Sequence, residues 1–160
     1  MPQENLLRMI KLAEEFFATK NDPTQLSIDE HVMAQLHAVH PATISQKKTR
    51  KGPVAWVLVI PTTSQVMKKF LKGEYNEREL LENTPIGGTY DTIYLCSALV
   101  LPEYRRKGLA KELTIKSIQS IRKKHPIKHL FVWEFSNEGR TLAQMVAKEV
   151  GLPLRRRLDR

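Results

Sequence analysis

Uninterrupted apolar runs alternate along this chain with stretches whose apolar residues recur at helical spacing. The run Tyr94 to Leu101 contains no charged residue and is closed by Pro102, which predicts a buried strand. From Leu109 to Lys124 apolar residues recur near a 3.6-residue period, which predicts a helix. The pattern therefore predicts a domain of the α/β class.

The N-terminal half is predicted to begin with helices and to continue with a β-hairpin. The first helix is amphipathic, and its spacing places Leu6 and Ile10 on the apolar face. The turn at Arg50 to Pro53 joins two stretches that read as strands, which predicts a hairpin. The predicted elements are helices over 4–19 and 28–39, strands over 42–48 and 54–60, and one or two short helices over 64–71 and 76–81.

Length and composition indicate one globular domain spanning residues 1–160. Hydrophobic residues make up 41% of the chain and charged residues 27%, without a disordered or repetitive bias. The longest clean apolar run, Val54 to Ile60, is too short to span a bilayer. Acidic residues near the N-terminus argue against a secretory signal. We therefore expect a cytoplasmic protein that does not cross a membrane.

The chain is strongly basic, with a formal net charge of +9 and a pI near 9.8. Such a charge indicates an anionic partner, which could be a cofactor, a nucleic acid or an acidic protein. Aromatic residues are not interleaved with the basic clusters, so the stacking platforms of single-strand nucleic-acid binding are missing. The clusters lie at 47–51, 105–107, 122–128 and 155–157.

Cysteine and histidine usage argues against disulfide and metal chemistry. Cys96 is the only cysteine, which excludes an internal disulfide and any multi-cysteine metal site. The five histidines show no convincing ligand spacing, so no metal is expected. The strand position of Cys96 favours a buried thiol, and a role near a substrate is the alternative.

A basic, glycine-containing loop connects the Tyr94 to Leu101 strand to the helix that begins at Leu109. The first N–H groups of a helix lack intrahelical partners and can donate jointly to phosphate oxygens. Gly108 allows close approach to the backbone, and the three preceding cations strengthen the attraction for an anion. The loop therefore predicts an anion site, with a basic turn that merely starts a helix as the alternative.

The same residues resemble a known signature. Arg105-x-x-Gly108-x-Ala110 is similar to the acyl-CoA-binding motif of the GNAT superfamily of N-acetyltransferases. In that family a strand and an asparagine-led helix follow, which here would be a strand over 129–135 and a helix from Asn137 to near Gly151. The resemblance implies a GNAT-like fold with a mixed, splayed sheet flanked by helices, the splay lying at Ala98 to Leu101.

Two features depart from the family pattern. A helical insertion at 62–89 precedes the central strand, where it could form a lid or a substrate wall, or serve packing alone. After Gly151 the C-terminus is shortened, and at most one short strand fits. Either the acceptor site is open or a partner subunit closes it by adding a strand, which would make a homodimer.

The resemblance also implies how acetyl-CoA would be held. The main chain of the central strand would align the pantetheine arm, and the basic loop would donate N–H groups to the pyrophosphate. Asn137 would contact the pantetheine arm, with a helix N-cap as its alternative role. The implied cofactor residues are Ala98, Leu99, Val100, Arg105, Arg106, Lys107, Gly108, Leu109, Ala110, Lys111 and Asn137.

The residues expected to catalyse the transfer match the family pattern less completely than the residues expected to hold the cofactor. Glu134 matches the position at which some family members place a glutamate that deprotonates the amine through water, although a solvated strand end is the alternative. Such a base would need a raised pKa to act near neutral pH. The family tyrosine that protonates the leaving thiolate falls at Ala147, and no tyrosine follows Tyr104. Tyr94, or Tyr90 at the entrance to the strand, could replace it only with its side chain facing the thioester, and a core or surface position is the alternative for each.

Three functions are compatible with these features. The first is an acetyl-CoA-dependent N-acetyltransferase, an acyltransferase whose acceptor is a primary amine of a small molecule or a protein. The second is a regulatory module that binds acyl-CoA without turnover, which the missing tyrosine and the short C-terminus favour. The third, a nucleic-acid-binding protein, rests on charge alone and is the least favoured.

Overall fold

The computed structural model describes residues 3–17, 30–134 and 136–158. Phe135 and the starts or ends of several predicted elements, including residues 18–19 and 28–29, lie outside these ranges. Within them the helices are α1 (Gln3–Phe17), α2 (Glu30–Val39), α3 (Ser64–Leu71), α4 (Glu77–Glu82), α5 (Leu109–Arg122) and α6 (Asn137–Val150). The strands are β1 (Ile44–Thr49), β2 (Gly52–Thr62), β3 (Thr92–Val100), β4 (His129–Val132) and β5 (Leu154–Arg156), and Pro102–Tyr104 forms a 3₁₀ turn.

The strands form one five-stranded mixed sheet in the order β1-β2-β3-β4-β5. β1, β2 and β3 are antiparallel neighbours, whereas β4 and β5 run parallel to β3. The parallel pairs are connected through α5 and α6, as parallel strands require a crossover. The predicted α/β fold with a mixed sheet flanked by helices is confirmed, and one short strand follows α6.

The sheet is splayed between β3 and β4. β3 pairs with β2 along its whole length but with β4 only from Thr92 to Leu95, where Leu95 lies opposite Val132. The register between β2 and β3 shifts at the same point, which leaves Cys96 as an extra residue in β3. Divergence therefore begins at Cys96, earlier than the expected Ala98, because β4 ends and β3 bulges at this level.

The segment between β2 and β3 contributes to the main core. On α3, Val66, Met67 and Phe70 are buried. The ring of Phe70 packs against Tyr94 at 4.8 Å and Phe131 at 5.8 Å between centroids. The predicted insertion is thus anchored beneath β3 by aromatic packing.

The expected apolar face of α1 is wrong by about one position. Leu6 and Ile10 are 37% and 42% exposed, whereas Asn5 and Met9 are buried. Met9 belongs to a small cluster with Val54, Leu99 and Leu101, and the Asn5 N–H donates to the Lys51 carbonyl at 3.0 Å. The helix is oriented by this cluster at the ends of β2 and β3, which its own periodicity could not reveal.

The described residues contain neither a helix that could span a membrane nor a cluster that could hold a metal ion. Every helix in these ranges is too short or too polar to traverse a bilayer. No group of three or more histidine, cysteine, aspartate or glutamate side chains in the same part of the chain is arranged to hold a metal ion.

Candidate active site

A cavity of about 450 Å³ opens where β3 and β4 diverge. β3 forms one wall, and β4, the beginning of α5 and the first turns of α6 form the others. Its polar lining includes Cys96, Ser97, Arg105, Thr114, Glu134, Ser136 and Glu138. Its apolar lining includes Leu95, Ala98, Leu99, Val100, Ala110, Val132, Trp133, Leu142 and Val146. This volume lies in the range typical of small-molecule sites.

The edge of β3 beyond Leu95 faces this cavity. β2 bonds one side of the strand as far as Val100, but β4 does not pair with the other side after Leu95. Arg105 donates from Nε to the Val100 carbonyl at 3.0 Å, which fixes the far end of this edge. An amide-bearing chain could therefore pair with β3 here as an added strand.

The loop at the start of α5 presents backbone N–H groups. Arg106 and Gly108 both have left-handed backbone angles, with φ of 65° and 76°. The first intrahelical bond runs from the Glu112 N–H to the Gly108 carbonyl. The N–H groups of residues 109–111 precede that bond and have no carbonyl acceptor within the described ranges. This geometry matches an anion site at a helix N-terminus.

The side chains of this loop are mostly exposed. Arg105, Arg106 and Lys107 are exposed, and Lys107 lies over the Tyr104 ring at 5.5 Å. Leu109 packs against the core, whereas Lys111 forms an ion pair with Glu149 of α6 at 3.5 Å. A Cβ at Gly108 would meet no atom within 4 Å, so open space lies beside this glycine.

Ser136, and not Asn137, caps α6. The Ser136 hydroxyl accepts from the Gly139 N–H at 3.1 Å. Asn137 is the first helical residue, is exposed and is not among the lining residues, although its neighbours Ser136 and Glu138 are. The N-cap alternative for Asn137 is therefore wrong, because the preceding serine performs that role.

Glu134 follows β4 and lines the cavity with its side chain 13% exposed. Arg156 on β5 donates to its Oε1 from Nε at 2.9 Å and from Nη2. Its Oε2 is buried and has no hydrogen-bond partner within the described part of the chain. The carboxylate is thus held on Oε1 by Arg156, whereas Oε2 keeps its acceptor capacity unused in the described part of the chain.

The electrostatic surroundings of Glu134 differ from the expectation for a base near neutral pH. Burial alone would raise the pKa of Glu134, but the hydrogen bond from Arg156 and the charges of Arg156 and Arg140 outweigh burial and hold that pKa below its ordinary value. The raised pKa that a base near neutral pH would need is not found for Glu134, because Arg156 of β5 lies against the carboxylate.

Neither predicted tyrosine lines the cavity. Tyr94 is fully buried, and its hydroxyl donates to Glu77 at 2.6 Å. The Tyr90 hydroxyl donates to the Pro85 carbonyl at 2.6 Å. Ala147, at the position of the family tyrosine, is buried beside the lining residue Val146. The condition set for Tyr94, a side chain that faces the thioester, is not met by this geometry.

Several lining residues were not predicted as site residues. Trp133 is 7% exposed and packs in the main core, and it also borders the cavity. Cys96 is half-buried at the bulge and borders the cavity, so the favoured expectation of a buried thiol is not met, and a role near a substrate stays a prediction. Arg156 reaches Glu134 from 22 residues away. Only Ser136 carried a usable local signal, as a serine three residues before Gly139 at a helix start.

Comparison with known proteins gives a family match and one distant structural likeness. The sequence profile of the family described as "Acetyltransferase (GNAT) family" matches residues 14–142. Among solved structures, the chain is similar to an aminoglycoside acetyltransferase from an uncultured soil metagenomic sample, crystallised in complex with trehalose. The two share 14% identity with a TM-score of 0.49, over 90% of this chain and 78% of that one. No curated protein shows significant sequence similarity to the chain.

Proposed function

Since the profile match spans residues 14–142, the chain belongs to the GNAT acetyltransferase family, and from this premise we propose that it transfers an acetyl group from acetyl-CoA to a primary amine. The observation that carries the proposal is the cavity itself. The free edge of β3 and the N-terminus of α5 border the same space, so one extended molecule carrying amides and phosphates could contact both.

The residues at the cavity fit the two chemical halves of acetyl-CoA. Beyond Leu95, the unpaired edge of β3 offers backbone groups to the amides of the pantetheine arm through Ala98, Leu99 and Val100. The N–H groups at the start of α5 and the neighbouring cations offer donors to the pyrophosphate. In this assignment the phosphate-binding loop is Arg105 to Lys111, and Asn137 lies beside the pantetheine end.

When bound, acetyl-CoA supplies an acetyl group held as a thioester, which a neutral amine can attack. In that step the carbon–nitrogen bond forms, the carbon–sulfur bond breaks and one proton leaves the nitrogen. Glu134 takes that proton through water at Oε2, while Arg156 holds Oε1. Backbone N–H groups of β3 next to the divergence polarise the thioester carbonyl. Water protonates the departing thiolate, because no tyrosine borders the cavity in the described structure.

A catalytically inactive CoA-binding module is the second candidate. It is favoured by the absence of a tyrosine from the cavity lining in the described ranges and by the ion pair that engages Glu134. The two candidates share the cofactor site and differ only in turnover. They therefore require an experiment that measures binding and thiol release in the same sample.

The experiment titrates the purified protein with acetyl-CoA and CoA by calorimetry and then follows free thiol with a panel of primary amines. Binding together with amine-dependent thiol release supports the transferase. Binding without release supports the module, and no binding contradicts both. Glu134→Gln should lower release far more than affinity. Glu138→Gln, which changes another carboxylate of the same lining, is the matched control.

A further inference from the structure

Glu77 is a buried carboxylate at the place where β3 leaves β4. It is the first residue of α4, and only 3% of its surface is exposed. A capping box between Asn76 and Glu79 fixes this helix start, so the direction of the Glu77 side chain is set locally. Its Oε2 accepts from the Tyr94 hydroxyl at 2.6 Å and from the Cys96 thiol at 3.6 Å.

These two donors lie on either side of the divergence. Tyr94 belongs to the part of β3 that pairs with β4, whereas Cys96 is the extra residue of the bulge and borders the cavity. Leu95, between them, is the last residue with a β4 partner. One carboxylate oxygen therefore contacts the paired half of the strand and the first residue of its free half.

Burying a carboxylate is costly unless hydrogen bonds compensate for its lost hydration. An apolar side chain would fill the same place in the aromatic core at less cost. The position of Glu77 is explained if its contacts set the shape of β3, because a bulge redirects the strand that follows it. That following stretch forms the cavity wall along which the thioester would lie.

We propose that Glu77 is a positioning residue, which holds the Cys96 bulge of β3 through the Tyr94 hydroxyl and the Cys96 thiol and so orients the free strand edge toward the reacting thioester. This inference rests on the proposed function. It assigns the segment between β2 and β3 a specific role at the site. The phosphate-binding loop lies at the other end of the cavity and does not depend on this contact.

A positioning role for Glu77 predicts that its replacement lowers turnover and leaves cofactor affinity almost unchanged. Glu77→Leu removes the acceptor and should lower kcat on the order of 10- to 100-fold, because small displacements of a reacting group cost this much. The Kd for CoA should change little, since the loop keeps its donors. Glu77→Gln retains an oxygen acceptor for Tyr94 and should recover much of the rate. Cys96→Ala should lower kcat and add little to the effect of Glu77→Leu when the two are combined.

Leu80→Ala is the matched control, because Leu80 is fully buried in the same helix and its apolar side chain cannot accept a hydrogen bond from Tyr94 or Cys96. It should lower thermal stability and leave kcat of the folded protein unchanged. The positioning role is overturned if folded Glu77→Leu turns over like the parent. It is also overturned if kcat, CoA affinity and stability fall together in the Glu77 and Cys96 variants as they do in Leu80→Ala.

A second readout keeps this test separate from the test of the proposed function. Hydrogen exchange of the backbone amides in residues 96–100, measured with CoA present, reports the order of the strand edge even without turnover. Faster exchange in Glu77→Leu than in Leu80→Ala supports the positioning role, and equal exchange contradicts it. If the parent transfers acetyl to no amine, the proposed function fails while this comparison still decides the role of Glu77.

Discussion

Arg8 of α1 donates two hydrogen bonds to Glu103, one from Nη1 and one from Nη2, each 2.7 Å long. Glu103 lies in the 3₁₀ turn that connects β3 to the phosphate-binding loop. The N-terminal helix is thereby tied to the segment just before Arg105. The hydrogen bonds from Arg8 lower the pKa of Glu103 to about 2, so the pair stays ionised at ordinary pH.

Arg8→Gln should weaken CoA binding a few-fold and change thermal stability little. The pair is exposed, so its own contribution to stability is small, but it restrains the turn that leads into the loop. Lys116→Gln, which breaks an exposed ion pair within α5 that does not involve Glu103, is the control. Calorimetry with CoA measures both variants, and equal affinities for Arg8→Gln and the parent would contradict this restraint.

Gly108→Ala should weaken CoA binding by about tenfold, which corresponds to ~1.4 kcal/mol. With φ at 76°, a side chain at this position strains the backbone by about 1–2 kcal/mol, although a Cβ would meet no neighbour within 4 Å. Gly87 is a matched control, with φ at 79° and the same open surroundings.

Chemical denaturation should therefore show a similar loss in the free energy of unfolding for Gly108→Ala and Gly87→Ala. Only the Gly108 variant should lose affinity for CoA, because only that glycine belongs to the phosphate-binding loop. A Gly108 variant that folds and binds like the parent would remove this loop from the proposed cofactor site.

The strand, loop and helix around Gly108 could be predicted from sequence because their signals are local. Pro102 closes the apolar run, and the observed helix begins at the predicted Leu109. β4 was predicted to extend to Phe135, but the strand assigned by the structure ends at Val132. That boundary depends on where the neighbouring strand diverges, which no local pattern records.

The contacts that define the candidate chemistry were beyond sequence reasoning because they are non-local. Glu77 and Tyr94 are 17 residues apart, and Glu134 and Arg156 are 22 apart, with no fixed spacing that marks either pair. The extra residue at Cys96 interrupts the regular in-and-out alternation of side chains along β3. The side chains beyond Cys96 therefore do not have the directions that counting from Tyr94 would predict. A strand pattern alone therefore could not place Tyr94 relative to the cavity.

Arg156→Gln should move the acidic limb of the pH–rate profile to higher pH. In the parent, Arg156 and Arg140 hold the pKa of Glu134 below its ordinary value, so the base stays ionised into acid. Without Arg156, burial is less opposed and the pKa rises. Arg140→Gln should produce a smaller shift in the same direction, since Arg140 acts on Glu134 through charge alone. Profiles of kcat/KM with one amine test this order, and an unmoved limb would exclude Glu134 as the titrating base.

The stability of the fold should decrease as pH falls below about 6.5, in part through His40. Burial, together with repulsion from His125 and Lys124, lowers the pKa of His40 from its ordinary value of 6.5. Its Nδ1 also accepts from the Ala42 N–H at 2.9 Å, which requires an unprotonated nitrogen. The unfolded chain therefore binds a proton that the folded chain resists. The stabilisation that depends on unprotonated His40 is fully present above the pKa of His40 in the unfolded chain. It is lost as the pH falls through the lower pKa of His40 in the folded chain.

His40→Asn separates this titration from the hydrogen bond. The asparagine Oδ1 can accept from the Ala42 N–H and does not titrate, so the free energy of unfolding should depend less steeply on pH between about pH 7 and about pH 5. His37→Asn, on the exposed part of α2, is the control for the same substitution at a histidine that does not bond the Ala42 N–H. Urea denaturation at several pH values measures the slopes, and a His40 variant as steep as the parent would assign the acid sensitivity to other groups.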